Sequence, residues 1–162
     1  IGDQGYAATA EGTVGAYLEF GNKEGNRLGM PLPAGRVRVN QAGPDGSLEF
    51  IGEDLIKHTP RNETLRIKLG ESFDIVGERK QMSFVYDSAA DTITETFELS
   101  VRNRKREAAE VVVREYLYRW SAWDVTAKSH AFTKRDAQTI DFPVTIPADG
   151  EAKLTYTVRY HW

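Results

Sequence analysis

The chain has 162 residues, enough for one domain with a buried core or for two very small ones. Its hydrophobic content of 40% and charged content of 28% exclude an intrinsically disordered chain, and its net charge of −3 gives no general attraction to nucleic acid. The absence of cysteine excludes disulfides and thiol catalysis, and no segment approaches the roughly 20 apolar residues that membrane insertion by a helix needs.

Residues 1–15 are rich in Gly and Ala and poor in apolar side chains, which predicts a flexible lead-in or an exchangeable arm. The chain starts at Ile1 with neither an initiator methionine nor a signal-peptide segment. This start indicates a processed product or a part of something longer. One continuous domain is expected over residues 16–162, because no Pro- or Ser-rich linker divides them.

Period-2 alternation of apolar and polar side chains runs through most of the remaining chain and predicts strands with one buried and one solvated face. Shorter strands are predicted over residues 16–20, 47–52, 81–86, 109–118 and 123–128. Glu95 is an exception on an otherwise apolar face. The clearest apolar sets are Val37 and Val39; Leu65, Ile67 and Leu69; Ile93, Phe97, Leu99 and Val101; Ile140, Phe142, Val144 and Ile146; and Leu154, Tyr156, Val158, Tyr160 and Trp162.

Turn chemistry separates these strands. Pro44-Asp45-Gly46 and Ala148-Asp149-Gly150 predict tight turns, since Pro presets φ and Gly accepts a positive φ. Residues 103–107 should close a hairpin between two strands, and a short helical turn is one interpretation of residues 52–61. About ten short strands with turns between them predict an all-β fold, an immunoglobulin-like β-sandwich with additional N-terminal strands. Residues 79–162 are its most immunoglobulin-like part.

Two segments carry a family resemblance. They are residues 29–39 (GMPLPAGRVRV) and residues 52–80, and the motifs at 102–105 (RNRK) and 146–150 (IPADG) follow them in order. From about residue 20 the chain resembles the bacterial domain-of-unknown-function family numbered 4139. The resemblance implies a β-rich module toward the C-terminus of larger, often exported proteins, and hence a periplasmic or extracellular location. It carries over no functional residue, because the family has no assigned activity.

An aromatic group at a predicted crossover between strands is the main candidate for a binding site. Tyr118, Trp120 and Trp123 lie close to Arg119 along the chain. One interpretation is core packing of at least one Trp, as in immunoglobulin-like sandwiches. The other is a surface that binds a protein or a glycan, because Trp, Tyr and Arg dominate binding hot spots.

A basic cluster lies in the predicted hairpin. It consists of Arg102, Arg104, Lys105 and Arg106. Such a cluster could grip an anionic polymer, or it could be a solvated tip that keeps an exposed turn soluble. The second interpretation is favoured, because the chain is net acidic and aromatic residues are not interleaved here.

Neither the histidines nor the serine beside one of them predicts catalysis. His58, His130 and His161 lie far apart, without a second ligand at metal-binding spacing. Ser129 precedes His130, but neighbours in a strand point to opposite faces, so the two should not form a nucleophile–base pair.

Two pairs of acidic residues are candidates for catalytic groups. Glu53-Asp54 and the pair Glu71 and Asp74 could flank a glycosidic bond. With 24 acidic residues in the chain, adjacent pairs are expected by chance. No catalytic residue, metal site or cofactor is predicted.

The sequence therefore predicts a non-catalytic binding or spacer module of an exported bacterial protein. The first alternative is a structural subunit that assembles through strand edges or through an exchanged N-terminal arm. The second alternative is a hydrolase of cell-wall polysaccharides, which would need a cleft with two convergent carboxylates.

Overall fold

The computed structural model describes residues 9–162, which form the predicted all-β fold. Strands make up 66% of the structure, so the layers are sheets, and no α-helix occurs among the described residues. In this part of the chain no helix is long and apolar enough to cross a membrane. The elements are β1 (Thr9–Gly21), a 3₁₀ turn (Glu24–Asn26), β2 (Gly35–Ala42), β3 (Leu48–Ile56), β4 (Thr64–Asp87), β5 (Thr92–Asn103), β6 (Ala109–Tyr116), β7 (Trp123–Lys128), β8 (Thr133–Lys134), β9 (Thr139–Ile146) and β10 (Glu151–His161).

The chain divides into two compact units, where the sequence predicted one domain over residues 16–162. The C-terminal unit holds Phe73–Trp162 together with the chain up to Thr13, and the N-terminal unit holds Val14–Ser72. The boundaries fall inside β1 and inside β4, a strand of 24 residues. No linker composition marks them, because a strand carries the chain from one unit into the other.

The predicted lead-in is described only in part. Residues 1–8, which hold half of it, lie outside the described residues. From Thr9 onward the chain is strand, since β1 runs to Gly21 and is the neighbour of β4. The sequence predicted only residues 16–20 of this strand, because backbone pairing supplies hydrogen bonds to the earlier residues whatever their side chains are.

Two antiparallel sheets form most of the C-terminal unit. In one sheet β4, β5, β10 and β7 are successive neighbours, and in the other β9 lies between β6 and β8. Leu154 of β10 lies opposite Leu99 of β5, so the apolar faces of neighbouring strands coincide. The alternation is confirmed for the buried residues Ile93, Phe97, Leu99, Val101, Ile140, Phe142, Val144, Ile146, Leu154, Tyr156, Val158 and Tyr160.

Aromatic side chains join the two sheets of this unit. The ring of Tyr156 in β10 lies 5.4 Å from that of Phe97 in β5 and 5.5 Å from that of Phe142 in β9, measured between centroids. These are the separations of packed aromatic pairs. The sequence placed Trp162 on the same buried face, which is wrong: its side chain is 44% exposed. β10 ends one residue earlier, and past a strand end the alternation no longer determines direction.

Residues 103–107 do not close the predicted hairpin. β5 pairs with β4 and β10, whereas β6 pairs with β9, so this loop carries the chain from one sheet to the other. The buried side chain of Asn103 shapes the crossing. Its amide donates to the carbonyl oxygens of Glu107 (2.8 Å) and Pro147 (3.1 Å), and its oxygen accepts the N–H of Lys105 (2.9 Å). The hairpin prediction failed because polar turn residues suit a crossover equally well.

Both predicted tight turns are confirmed. Pro44-Asp45-Gly46 joins β2 to β3, with Gly46 at a φ of 81°. Ala148-Asp149-Gly150 joins β9 to β10, and here Asp149, rather than the glycine, takes the positive φ of 46°. Asp tolerates this left-handed conformation better than most residues do.

In the N-terminal unit the β2–β3 ribbon approaches β4 at backbone distance. A Cβ atom on Gly52 would lie only 2.5 Å from the carbonyl oxygen of Leu69. The helical turn considered for residues 52–61 is wrong, because Gly52 pairs with Val39 in the ladder and β3 continues to Ile56. Val37 and Val39 are half-buried, as their alternation with exposed Arg36 and Arg38 predicts.

The loops of the N-terminal unit converge on one buried asparagine. The Asn22 amide donates to the carbonyl oxygens of Met30 (2.7 Å) and Pro60 (2.9 Å), and its oxygen accepts the N–H of Gly29 (2.9 Å). All the hydrogen-bonding groups of a buried polar side chain must be satisfied in this way. Asn22 therefore has the same role in this unit as Asn103 has in the other.

Candidate functional site

A buried ion pair lies on the inner face of the β4–β5–β10–β7 sheet. The Arg119 guanidinium donates to the Glu95 carboxylate at 2.7 Å, and the two side chains are only 4% and 3% exposed. The Gln81 amide donates to the same carboxylate oxygen at 2.8 Å. The sequence singled out Glu95 as a charged residue on an otherwise apolar face, and Glu95 is indeed buried there. Arg119 was predicted for a binding surface, but it is the buried counter-ion of Glu95. Buried charges occur in pairs because an isolated charge is costly to remove from water.

A second ion pair lies nearby in the same unit. Arg79 of β4 donates to the Glu115 carboxylate of β6 at 2.8 Å, and the Tyr156 hydroxyl donates to the same oxygen at 2.6 Å. Burial, and after it the neighbouring Glu115 charge, raises the pKa of Tyr156 well above its ordinary value. Tyr156 therefore stays protonated and acts as a hydrogen-bond donor at every physiological pH.

A shallow crevice opens onto these charged groups. Its space of about 10 Å³ admits roughly one water molecule. Tyr116 and Tyr118 stand at its side as a stacked pair, 5.9 Å between ring centroids. A sugar ring does not fit into the crevice as it stands. The lining residues are Arg79, Glu95, Phe97, Tyr116, Tyr118, Arg119 and Tyr160.

Three exposed aromatic rings meet at one end of the sheet, and we call Tyr86, Trp120 and Trp162 the aromatic platform. The Trp162 ring stacks on Tyr86 at 6.2 Å with 20° between the planes, and it contacts Trp120 at 6.4 Å and 60°. The three side chains are 51%, 40% and 44% exposed in chain order. Exposed rings held against one another form a preorganised surface for stacking.

Backbone pairing holds the platform in place. Tyr86 of β4 lies opposite the buried Ile93 of β5, and Ile93 lies opposite the buried Tyr160 of β10. The N–H of Trp162 donates to the carbonyl oxygen of Asp91 at 3.3 Å. Tyr86 is therefore held within the ladder, and Trp162 is held just after the end of β10. Trp120 lies on the connection between β6 and β7.

The four predicted binding residues do not share one site. Tyr118 and Arg119 line the crevice, and Trp120 belongs to the platform. Trp123 is half-buried at the start of β7, where its indole N–H donates to the carbonyl oxygen of Ala137 at 2.8 Å and Lys134 covers its ring at 4.5 Å. Sequence reasoning missed Tyr86 and Trp162, because only the pairing of β4, β5 and β10 brings them to Trp120.

The basic cluster has a largely solvated position. Arg102, Arg104 and Arg106 are exposed, and Lys105 is half-buried. Arg102 lies 3.7 Å from Glu78, both side chains being nearly half exposed. Exposed pairs at this distance contribute little to stability.

Ser129 and His130 form a pair that the sequence argument ruled out. The serine hydroxyl oxygen lies 2.8 Å from Nδ1 of His130. Their side chains do not point to opposite faces, because the two residues form a bend after β7 rather than a strand. The hydroxyl also accepts the N–H of Thr155 at 2.9 Å, which ties this bend to β10.

The acidic pair Glu53-Asp54 is occupied by local partners. Glu53 forms ion pairs with Arg36 and Arg38 across the ribbon. Hydrogen bonds from the backbone N–H of Lys68, and then from that of Leu55, lower the pKa of Asp54. Among the side chains that the structure describes, no three His, Asp or Glu residues come together as metal ligands.

Comparisons with protein-family models, with curated proteins and with solved structures find no significant match to this chain.

Proposed function

We propose that the chain is a non-catalytic binding module and that the aromatic platform is its binding surface. The observation that carries the proposal is that the exposed Trp162 ring contacts two other exposed rings, Tyr86 and Trp120, at the end of a hydrogen-bonded sheet. Aromatic side chains contribute most to binding per residue and lose little conformational entropy when they are already packed.

A glycan is the ligand class that this surface suits best. The platform residues carry no formal charge, and their flat rings offer stacking surfaces, as Trp does to the apolar faces of sugars. Two of the three platform residues are tryptophans, so their fluorescence would report such stacking directly. A protein partner is the alternative ligand class.

The hydrogen bonding of the two buried carboxylates, Glu95 and Glu115, supports a non-catalytic role. A general acid or base must be able to exchange a proton with a substrate. Glu95 and Glu115 are both buried and both hydrogen-bonded to an arginine, which is the arrangement of structural ion pairs. The alternative of a polysaccharide hydrolase would need one of these carboxylates to leave its arginine.

Titration of platform variants with soluble glycans tests the binding proposal. The probes are oligosaccharides of N-acetylglucosamine, peptidoglycan fragments and β-glucan oligosaccharides, with tryptophan fluorescence as the readout. Trp120→Ala should weaken binding at least about 10-fold, as loss of an aromatic residue from a binding hot spot does. Tyr17→Ala is the matched control, because Tyr17 is a similarly exposed aromatic residue, at 46%, in the N-terminal unit. If folded Trp120→Ala binds with unaltered affinity, the aromatic platform is not the binding surface. If no glycan changes the fluorescence of the wild type, the ligand is not one of these glycans.

We also propose that the C-terminal unit is a rearranged immunoglobulin-like sandwich. In support, β4 to β10 divide into four and three strands, as in constant-type immunoglobulin domains. In those domains the fifth strand lies between the second and the fourth, whereas here the seventh strand, β10, lies between β5 and β7. An experimentally determined structure with another strand order would contradict this relation.

Membership of the family numbered 4139, and with it a periplasmic or extracellular location in a bacterium, is a further proposal. Its support is the resemblance of residues 29–39 and 52–80. Fractionation of cells that express the whole parent protein tests the location, and recovery in the cytoplasm alone would contradict it.

A further inference from the structure

We propose that β6 is a dimerisation edge, which pairs antiparallel with β6 of a second copy of this chain about a two-fold axis at Val112. Among the described strands β6 pairs on one side only, with β9. The inference is independent of glycan binding, since no residue of β6 belongs to the aromatic platform. The paired copies would share a six-stranded sheet in the order β8-β9-β6-β6-β9-β8.

The backbone groups that β6 presents at its outer edge follow from its register with β9. In an antiparallel pair, hydrogen-bonded and non-hydrogen-bonded residue pairs alternate. Just beyond β6, the N–H of Leu117 donates to the carbonyl oxygen of Gln138 at 2.8 Å, so odd-numbered residues bond toward β9. Even-numbered residues of β6 therefore direct their N–H and C=O groups away from β9.

Pro143 provides an independent check on this parity. It lies in β9 directly opposite Val112. Proline has no N–H to donate, so it suits a non-hydrogen-bonded pair. The N–H and C=O groups of Val112 therefore point away from β9, toward the outer edge. This agrees with the register inferred from the hydrogen bond of Leu117.

The side chains on the outer face of β6 are self-complementary under the proposed symmetry. A two-fold axis at Val112 sets Glu110 opposite Arg114 of the second copy, and Arg114 opposite Glu110 of the second copy. Glu110 is exposed and Val112 is 56% exposed, while Arg114 is half-buried beside Asp141. Directly opposed unlike charges stabilise antiparallel pairs, and like charges destabilise them. The three residue pairs would form about six backbone hydrogen bonds.

β6 also lacks the features that protect two other edge strands, β7 and β8. β7 pairs with β10 through an irregular register, with a shift between Thr157 and Val158. β8 has two residues. β6 pairs with β9 over eight residues without a shift, and its centre is three consecutive valines. Proteins usually blunt such regular, β-prone edges with bulges, prolines or very short strands.

Sedimentation velocity over a concentration series is the primary test. The wild type should pass from 18.2 kDa to about twice that mass as concentration rises. Val112→Pro removes the N–H at the axis without touching the ladder to β9, and it should weaken association at least about 10-fold. Val112→Ala keeps the N–H and is the matched control. Circular dichroism verifies that both variants are folded. A wild type that stays at 18.2 kDa up to about 1 mM would overturn the proposal.

A charge reversal tests the predicted register. Glu110→Arg places two arginines opposite each other at both ends of the paired segment and should also weaken association at least about 10-fold. Glu107→Arg makes the same change of net charge on an exposed residue outside the strand, and it should leave association unchanged. Equal effects of the two reversals would contradict the register.

Cysteine cross-linking locates the axis and does not depend on the proline variant. The chain has no cysteine, so one introduced thiol can pair only with its copy. Directly opposed residues of a hydrogen-bonded pair have Cα atoms about 5.5 Å apart, within the range that a disulfide spans. Val112→Cys should therefore form a covalent dimer when oxidised with diamide. Val85→Cys, at a valine of β4 with 58% exposure, should stay monomeric. Similar yields from both variants would refute the axis at Val112.

Discussion

Replacing Arg119 with methionine tests whether the buried ion pair with Glu95 is an obligatory part of the core. Methionine keeps an unbranched apolar side chain at this position and removes the guanidinium. The Glu95 carboxylate would remain buried with the Gln81 amide as its donor. Removing one partner of a buried pair costs about 3–5 kcal/mol, because the other charge is left uncompensated. Since small domains are stable by about 5–15 kcal/mol, this variant should lose between about a fifth and all of its stability.

The measurement is the free energy of unfolding in urea, followed by circular dichroism and tryptophan fluorescence. A double variant, Arg119→Met with Glu95→Leu, removes both charges and should recover most of the loss, because apolar replacements of a buried pair are often neutral. Arg135→Met is the matched control. Arg135 is an exposed partner of Asp141, so its loss should cost less than about 0.5 kcal/mol. A loss below about 1 kcal/mol for Arg119→Met, or a double variant no more stable than the single one, would refute the reasoning.

Three further changes test the framework around the sites, each by urea unfolding. Asn103→Ala removes the three hydrogen bonds of a buried side chain at the crossover loop and should cost about 2–4 kcal/mol. Hydrogen bonds from Arg114 lower the pKa of Asp141 below its ordinary 3.8. The advantage of the wild type over Asp141→Asn should therefore be full above about pH 5 and shrink as the pH falls through 3.8 and below. Gly52→Ala forces a Cβ against the backbone of Leu69 and should cost about 1–3 kcal/mol.

Burial within β5, β9 and β10 could be predicted from the sequence, and the neighbours of these strands could not. The alternation placed Leu154, Tyr156, Val158 and Tyr160 on the buried face, because successive side chains of a strand point to opposite sides. Which strand lies beside β10 depends on contacts between residues far apart in the chain, and alternation carries no information about them. The crossover at residues 103–107 was misread as a hairpin for this reason.

The candidate sites show the same limit. Trp120 was predicted for a binding surface, but its platform partners Tyr86 and Trp162 come from β4 and from the residue after β10. Arg119 was predicted for that surface because it lies beside Trp120 in sequence. Whether an arginine is exposed depends on a carboxylate elsewhere in the fold, here Glu95, 24 residues away. The one local signal of a buried arginine was Glu95 on an apolar face, because a buried carboxylate requires a buried cation beside it.

The register of β6 with β9 determines both the inner charges and the outer edge of the second sheet. Odd-numbered residues bond to β9 and point inward, so Glu115 meets Arg79, and even-numbered residues point outward, so Val112 is exposed. A slip of one residue would turn Arg114 toward the core and Glu115 toward water. A dimer through β6 and the Arg79–Glu115 pair therefore require the same register, and a variant that loses one by slipping must lose the other.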